Sequence, residues 1–202
     1  MRSAVILVGG EARRANGKEK YFFTYEGKTF IERLVGTLRT ITDEIILVAR
    51  DPSQCERFRE IEKVQCIADI RPGIGPVGGL HAGSLAASGN LIFVSACDMP
   101  CIDAAVVTHL FEAIGESDAV IPQWNPEMLE PLHAVYRRSA LLKYLDSHES
   151  LSLRAMIRSI NTRYMPVDEL RAFDPALKTF TNINNIEDLE EFSNSRHGKP
   201  KV

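Results

Sequence analysis

Short apolar runs rich in β-branched residues alternate with helical patterns along this chain. That alternation limits the folds open to it more than any other feature. Ser3–Val8 (SAVILV), Glu44–Arg50 (EIILVAR), Val64–Asp69 (VQCIAD), Leu91–Asp98 (LIFVSACD) and Asp118–Gln123 (DAVIPQ) read as strands buried on both faces, the pattern of a parallel sheet. Helical patterns separate them. Thr29–Ile41 opens with Thr29 and Glu32 at capping-box spacing, and Pro52–Glu60 has its proline where a helix N-terminus accepts one. Gly78–Ser88 is small and apolar, suited to close packing on a sheet, and Asp103–Ile114 starts on a good N-cap residue. Repeated strand–helix–strand means βαβ units, and so an α/β chain with helices on both faces of a mainly parallel sheet. The second half is less regular. Pro131–Arg137 reads as a strand, Arg138–His148 and Leu151–Ile160 as helices, and Thr179–Ile183 as a short strand before a helix that begins at Ile186. The polar end, residues 196–202, is expected to be disordered, leaving 1–195 as one domain.

Composition narrows the function. The 202 residues are 45% hydrophobic and 25% charged, enough for a single good-sized core. The net charge of -3 argues against nucleic acid as the main partner, yet allows a small anionic substrate held by local positive charge. No apolar run reaches the length of a membrane span, and the first residues enter a strand without a signal-peptide layout. Cys55, Cys66, Cys97 and Cys101 form no CxxC pair. Reduced, structural thiols in a cytoplasmic protein are therefore expected.

In open α/β sheets, ligands gather at the carboxyl ends of the strands. That rule selects Gly9 to Lys20, Arg50, Asp69 to Gly79, and Asp98. Leu7–Lys20 (LVGGEARRANGKEK) carries four cations and opens on two glycines directly after a buried strand. Such glycines let backbone N–H groups approach a phosphate, and Arg14, Lys18 and Lys20 are placed to neutralise a triphosphate. It is not a P-loop, because Gly17-Lys18 is followed by Glu19, which has no hydroxyl for a metal, and the gap from Gly10 to Gly17 is too long. Gly73–Gly78 (GIGPVG) matches G-x-G-x-x-G, with Asp98 about twenty residues further on. However, Asp69, Arg71 and Pro72 stand where that fingerprint needs a tight turn, so a Rossmann oxidoreductase is a weak reading. His81, His109 and His133 have no metal-ligand spacing.

Leu7–Lys20 also resembles the signature L-[AV]-G-G-x-x-x-R-x-x-G-x-x-K of nucleotidyltransferases that attach a nucleotide to a phosphorylated acceptor. Within that superfamily the chain is most similar to the molybdenum cofactor guanylyltransferases. Arg14, Gly17 and Lys20 match the motif positions, and Gly27 in TYEGK matches the glycine of the next turn. The segment from Ile67 to Ser88 is similar to the family's D…GPLAG block, and SACDMP to its C-D-x-P. EPLHAVY has a counterpart too, and FTNINNIEDL is close to N-x-N-T-P-E-D-L. These blocks span nearly the whole chain in the family's order. Val8, Ala15-Asn16 and Asn185-Ile186 depart from the usual Ala, Met-Gly and Thr-Pro.

The resemblance implies a three-layer α/β/α fold with a mainly parallel, Rossmann-like sheet of the nucleotide-diphospho-sugar transferase type. It implies transfer of GMP from GTP to the phosphate of molybdopterin, with release of pyrophosphate. Arg14 and Lys20 would neutralise charge, and Leu7, Val8, Gly9 and Gly10 would hold the nucleotide. Asp69 would meet its guanine or ribose. Asp98 would ligate Mg2+, with Asn184 as a second oxygen ligand and Asn182 as its competitor; both asparagines are also good turn formers. Molybdenum-cofactor carriers or acceptor enzymes are the implied protein partners. On the acceptor side three residues stay open. His133 faces the pterin or is structural, Arg154 holds the acceptor phosphate or is solvated, and Trp124 stacks on the pterin or covers the core edge. Two rival readings also stay open. One is a sister transferase that uses CTP or another phosphorylated acceptor, although the Gly9-Gly10 pair leans toward guanine by family analogy. The other is a non-catalytic nucleotide-binding protein, which the joint presence of Arg14, Lys20 and Asp98 argues against.

Overall fold

The computed structural model describes residues 1–9, 19–147 and 152–196. The chain opens with β1 (Arg2–Leu7). After a 3-10 turn at Lys20–Phe22 comes a small hairpin, β2 (Thr24–Tyr25) and β3 (Lys28–Thr29). Its turn places Glu26 and Gly27 at φ 49° and 76°, the left-handed pair that a two-residue hairpin requires. Then follow α1 (Phe30–Leu38), β4 (Glu44–Ala49), α2 (Pro52–Cys55), β5 (Gln65–Ala68), α3 (Pro76–Ala86), β6 (Leu91–Ala96) and α4 (Ala104–Ala113). The second half holds β7 (Ala119–Asn125), β8 (Met128–Leu129), β9 (His133–Arg137), α5 (Arg138–Leu145), α6 (Leu153–Ser159), β10 (Thr162–Pro166) and α7 (Ile186–Arg196).

The main sheet runs β10-β7-β9-β6-β1-β4-β5, with β8 paired to β7. β1 pairs in parallel with β4 and β6, β4 with β5, and β7 with β10. β9 is inserted antiparallel between β6 and β7, and the short β8 is antiparallel to β7. β6 and β7 therefore point the same way, and their carboxyl ends share one edge of the sheet. Side chains alternate across the strands, so β1 serves two cores. Ala4 and Ile6 pack with α1 and α4 on one face, while Val5 packs with α3, α5 and α6 on the other. This is the three-layer, mainly parallel arrangement that the alternating pattern predicts.

Local signals account for most element boundaries. The Thr29 hydroxyl accepts from the Glu32 N–H and the Glu32 carboxylate accepts from the Thr29 N–H, closing the expected capping box. Asp103, not Asp98, caps α4, its carboxylate accepting from the N–H groups of Ala105 and Val106. Asp98 is thereby left for other work. Along α3, a Cβ on Gly83 would stand 2.5 Å from a Val5 methyl, so the small residues are what seat this helix on the sheet.

One expectation changes, one strand is added and one is extended. Thr179–Ile183 is not a strand. Lys178–Phe180 is a 3-10 turn, and the next residues cross the sheet's carboxyl edge with one ladder-like bond, from Ile183 N–H to the Asp98 carbonyl. Its β-branched composition had no neighbouring strand to pair with. Thr162–Pro166, which carries no apolar run, is a strand because it lies at the sheet edge, where only Met165 is buried. β7 runs on past the expected Gln123, so that Trp124 lies inside it.

Candidate active site

β1, β4, β5 and β6 end side by side, and a cleft of about 470 Å³ opens above their carboxyl ends. Its lining includes Leu7, Val8, Gly9, Lys20, Arg50, Asp69, Gly73, Gly79 and Asp98. The predicted nucleotide residues that fall among the described ones are thus brought together. Gly10 and Arg14 lie outside the described residues.

Gly9 is required by space. A Cβ there would stand 3.0 Å from the Arg50 backbone nitrogen, so the chain leaving β1 passes directly over the end of β4. Gln54, which no sequence signal singles out, braces this crossing from below. It is 2% exposed. Its Nε2 donates to the Val8 carbonyl at 3.3 Å and to the Tyr21 hydroxyl at 3.1 Å, while its Oε1 accepts from the Arg50 N–H at 2.7 Å. Burial first, then the neighbouring Glu19 carboxylate, pushes the Tyr21 phenol up to about 12, so it remains a neutral hydrogen-bonding group. Glu19 is itself paired with Arg57.

Asp69 follows β5. Its Oδ1 accepts from the Arg71 N–H at 2.8 Å. Gly78, in the first turn of α3, makes room for it, because a Cβ would stand 2.6 Å from the Arg71 carbonyl oxygen and 2.8 and 2.9 Å from the two carboxylate oxygens. The carboxylate therefore rests against the N-terminal turn of a helix, where the helix dipole favours negative charge. GIGPVG serves this approach.

Asp98 follows β6, and its partner comes from the start of the 3-10 turn that precedes β2. Lys20 Nζ lies 3.5 Å from Asp98 Oδ2 and donates to Asn184 Oδ1 at 2.7 Å. Asn184 is carried there by a small separate cluster, in which Phe23, Tyr25 and Phe30 pack with Ile183, Leu189 and Phe192 of the C-terminal segment. Its own N–H is held by the Asp188 carboxylate at 2.7 Å. Asn182 is exposed. Beside Asp98, the Cys97 thiol is pushed up to about 12 by burial, with the Asp98 charge adding to the shift. It stays protonated at neutral pH and is no nucleophile.

The other candidates are occupied elsewhere. His133 is fully buried, edge-on to Phe93 and Phe180, with Nε2 3.1 Å from the Thr179 hydroxyl. It is structural and does not face the cleft. Arg154 binds the Glu127 carboxylate at 2.9 Å and the Glu127 carbonyl at 2.6 Å. His81 meets Asp146 at 2.9 Å, and His109 stacks on Phe173. The four cysteines are free thiols.

The family model for the MobA-like NTP transferase domain matches residues 4–164. The chain belongs to that family. It is a nucleotidyltransferase, built as a mainly parallel three-layer fold of the nucleotide-diphospho-sugar transferase type. The chain is 38% identical to a Methanosarcina acetivorans protein named "Probable molybdenum cofactor guanylyltransferase", with 100% of this chain and 94% of the relative covered. It is 33% identical to the molybdenum cofactor guanylyltransferase of Desulfosudis oleivorans, covering 94% of this chain and 93% of the relative. Among solved structures, it superposes on molybdopterin-guanine dinucleotide biosynthesis protein A from Archaeoglobus fulgidus with a TM-score of 0.81, at 32% identity, covering 98% of this chain and 99% of the other. Among the described residues no helix is long and apolar enough to cross a membrane.

Proposed function

We propose that this nucleotidyltransferase moves GMP from GTP to the terminal phosphate of molybdopterin, giving molybdopterin guanine dinucleotide and pyrophosphate in the cytoplasm. The observation that carries the reading is the meeting of Lys20, Asp98 and Asn184 at the edge of a cleft lined by Gly9, just after β1. The named relatives supply the choice of nucleotide and acceptor. An acceptor phosphate oxygen attacks the α-phosphorus of GTP, the bond from that phosphorus to the bridging oxygen breaks, and its electron pair leaves with pyrophosphate. A phosphate monoester has a second pKa of about 6. The attacking oxygen is therefore already unprotonated at neutral pH, and no general base is needed. The residues' task is to align two anions and absorb charge.

Leu7 to Gly9, with Gly10, hold the nucleotide over the end of β4. Asp69 accepts from the guanine N1–H and 2-amino group or from a ribose hydroxyl. Lys20, with Arg14 from outside the described residues, neutralises the phosphates. Mg2+ fits the donors here, because the Asp98 carboxylate and the Asn184 amide oxygen are hard oxygens that already converge on one cation, the Lys20 ammonium. When bound between them, the ion would offset the charge of the departing pyrophosphate.

Calorimetry with GTP, CTP, UTP and ATP in the presence of magnesium, on the wild type and on Asp98→Ala, tests the reading. GTP preference that weakens without Asp98, together with pyrophosphate release on adding molybdopterin, is the expected result. CTP preference would move the chain to a sister transferase, and GTP binding without release to any phosphorylated acceptor would make it a non-catalytic binder.

A further inference from the structure

The cleft described above covers the edge of β1, β4, β5 and β6. The same edge continues past Asp98 to the end of β7, because β6 and β7 run in one direction on either side of β9. Residues 130–132, which lead into β9, lie between those two strand ends. Leu132 lines the nucleotide cleft, and its carbonyl accepts from the Ala96 N–H at 3.3 Å. Two residues earlier, the Glu130 N–H donates to the Pro122 carbonyl at 2.9 Å, fixing Glu130 beside the end of β7.

There it meets Trp124. The indole N–H donates to Glu130 Oε1 at 2.8 Å, and the ring stands edge-on to Phe180 at 5.7 Å and 69°. With both position and tilt fixed, the indole is still 40% exposed, a large apolar surface left facing outward. Arg154 ties down the neighbouring hairpin tip through Glu127. Glu130 Oε2 takes no part in that bond. Burial pushes the Glu130 carboxyl up, the Trp124 N–H pulls it back, and the Asp98 charge adds to the rise. This is a partly desolvated carboxylate with one oxygen outside the indole bond, within electrostatic reach of Asp98.

We propose that Trp124 and Glu130 form the recognition site for the acceptor's ring system, the indole stacking on a pterin and the other carboxylate oxygen of Glu130 accepting from its N3–H and 2-amino edge. The inference rests on the guanylyltransferase reading for the identity of the acceptor. A flat ring with two adjacent donors is what an exposed indole and a neighbouring carboxylate oxygen complement. The geometry also divides the edge sensibly. The nucleotide lies over β1, β4 and β5, the acceptor ring at β7, and the phosphates meet at Asp98 and Lys20 between them. Both residues are specificity determinants and neither takes part in the bond change.

Trp124 is the chain's single tryptophan, so its emission reports the site directly. The wild type is titrated with 6-hydroxymethylpterin, and with lumazine, which has an oxygen where the pterin has its 2-amino donor. Calorimetry on the same pairs guards against optical artefacts. Saturable quenching by the pterin, at least tenfold tighter than by lumazine, is expected. Glu130→Gln should collapse that preference. Glu130→Gln and Trp124→Ala should raise the KM for molybdopterin at least tenfold, with GTP affinity unchanged as the control for folding, and Trp124→Phe should recover most of the loss. Pterin and lumazine bound alike, or an acceptor KM unmoved in both variants, would overturn the ring site while leaving GMP transfer standing. Selective pterin binding with no transfer of GMP would keep the ring site and overturn the proposed reaction instead.

Discussion

Gln54 satisfies three polar groups under the cleft floor at once: the Val8 carbonyl, the Arg50 N–H and the Tyr21 hydroxyl. With the residue buried, water has little access to replace it. Gln54→Ala is expected to cost about 1–3 kcal/mol of stability, the usual penalty for stranded buried polar groups. It should also weaken GTP binding, since the glycine crossing loses its brace; urea denaturation and calorimetry read the two effects. Glycine substitutions offer a sharper contrast. Gly78→Ala drives a methyl into the Asp69 carboxylate and the Arg71 carbonyl, so GTP affinity should fall along with stability. Gly36→Ala, in α1 with open space around the new methyl, should raise stability by about 0.5–1 kcal/mol and leave GTP affinity alone. Equal behaviour of the two alanines would show that the crowding at Asp69 is not what matters. The two glycines look alike in the sequence, because neighbours in space decide their roles.

At the scale of elements, two ionisable groups on the sheet, one half-buried and one fully buried, make stability fall in acid. Glu44, at the start of β4, accepts from the Ser3 and Ser88 hydroxyls and from the Ser88 and Gly89 N–H groups. Burial alone would raise its carboxyl, but these hydrogen bonds outweigh that and hold it below the ordinary 4.5. Its contribution is complete above the unfolded value and is lost as pH falls through the lower folded one. Glu44→Gln should therefore flatten the loss of stability below about pH 4.5. His133 in β9 acts over a different window. Burial lowers its imidazole from 6.5 to about 3. The unfolded chain therefore takes up a proton that the folded chain refuses, and stability declines as pH falls from 6.5 towards 3. His133→Phe should remove that slope, as measured by denaturation at a series of pH values. An unchanged slope would rule out His133 as its source. Elements with strong local signals, such as the Thr29 capping box and the run in β1, were legible in the sequence. β10 was not, because an edge strand with one buried side chain carries too little pattern.

Across the whole molecule, the C-terminal segment returns over the sheet edge and presents Asn184 to Lys20. The hydrophobic cluster around Phe23, Tyr25 and Phe30 holds it there, with Phe192 packed on Tyr25 at 5.3 Å. Asn184→Ala should lower kcat by about tenfold or more while barely moving stability, the outcome that the role proposed for this exposed side chain requires. Phe192→Ala should lower both kcat and stability, since it loosens the cluster as well as the loop. Steady-state pyrophosphate release beside thermal denaturation separates the two cases. The parallel sheet, its helices on both faces and the edge at which ligands gather were determined by the sequence alone. They follow from periodicity and capping, which act over a few residues. The strand-end rule also selected Lys20, Asp69 and Asp98, and all three line one cleft. Only the tertiary structure decided that Lys20 meets Asn184 across 164 residues, that Gln54 supports the glycine crossing, and that Trp124 and Glu130 flank the far side of Asp98. Those meetings depend on how separate elements pack and which way strands run, and no local pattern of residue types encodes a contact between segments so far apart.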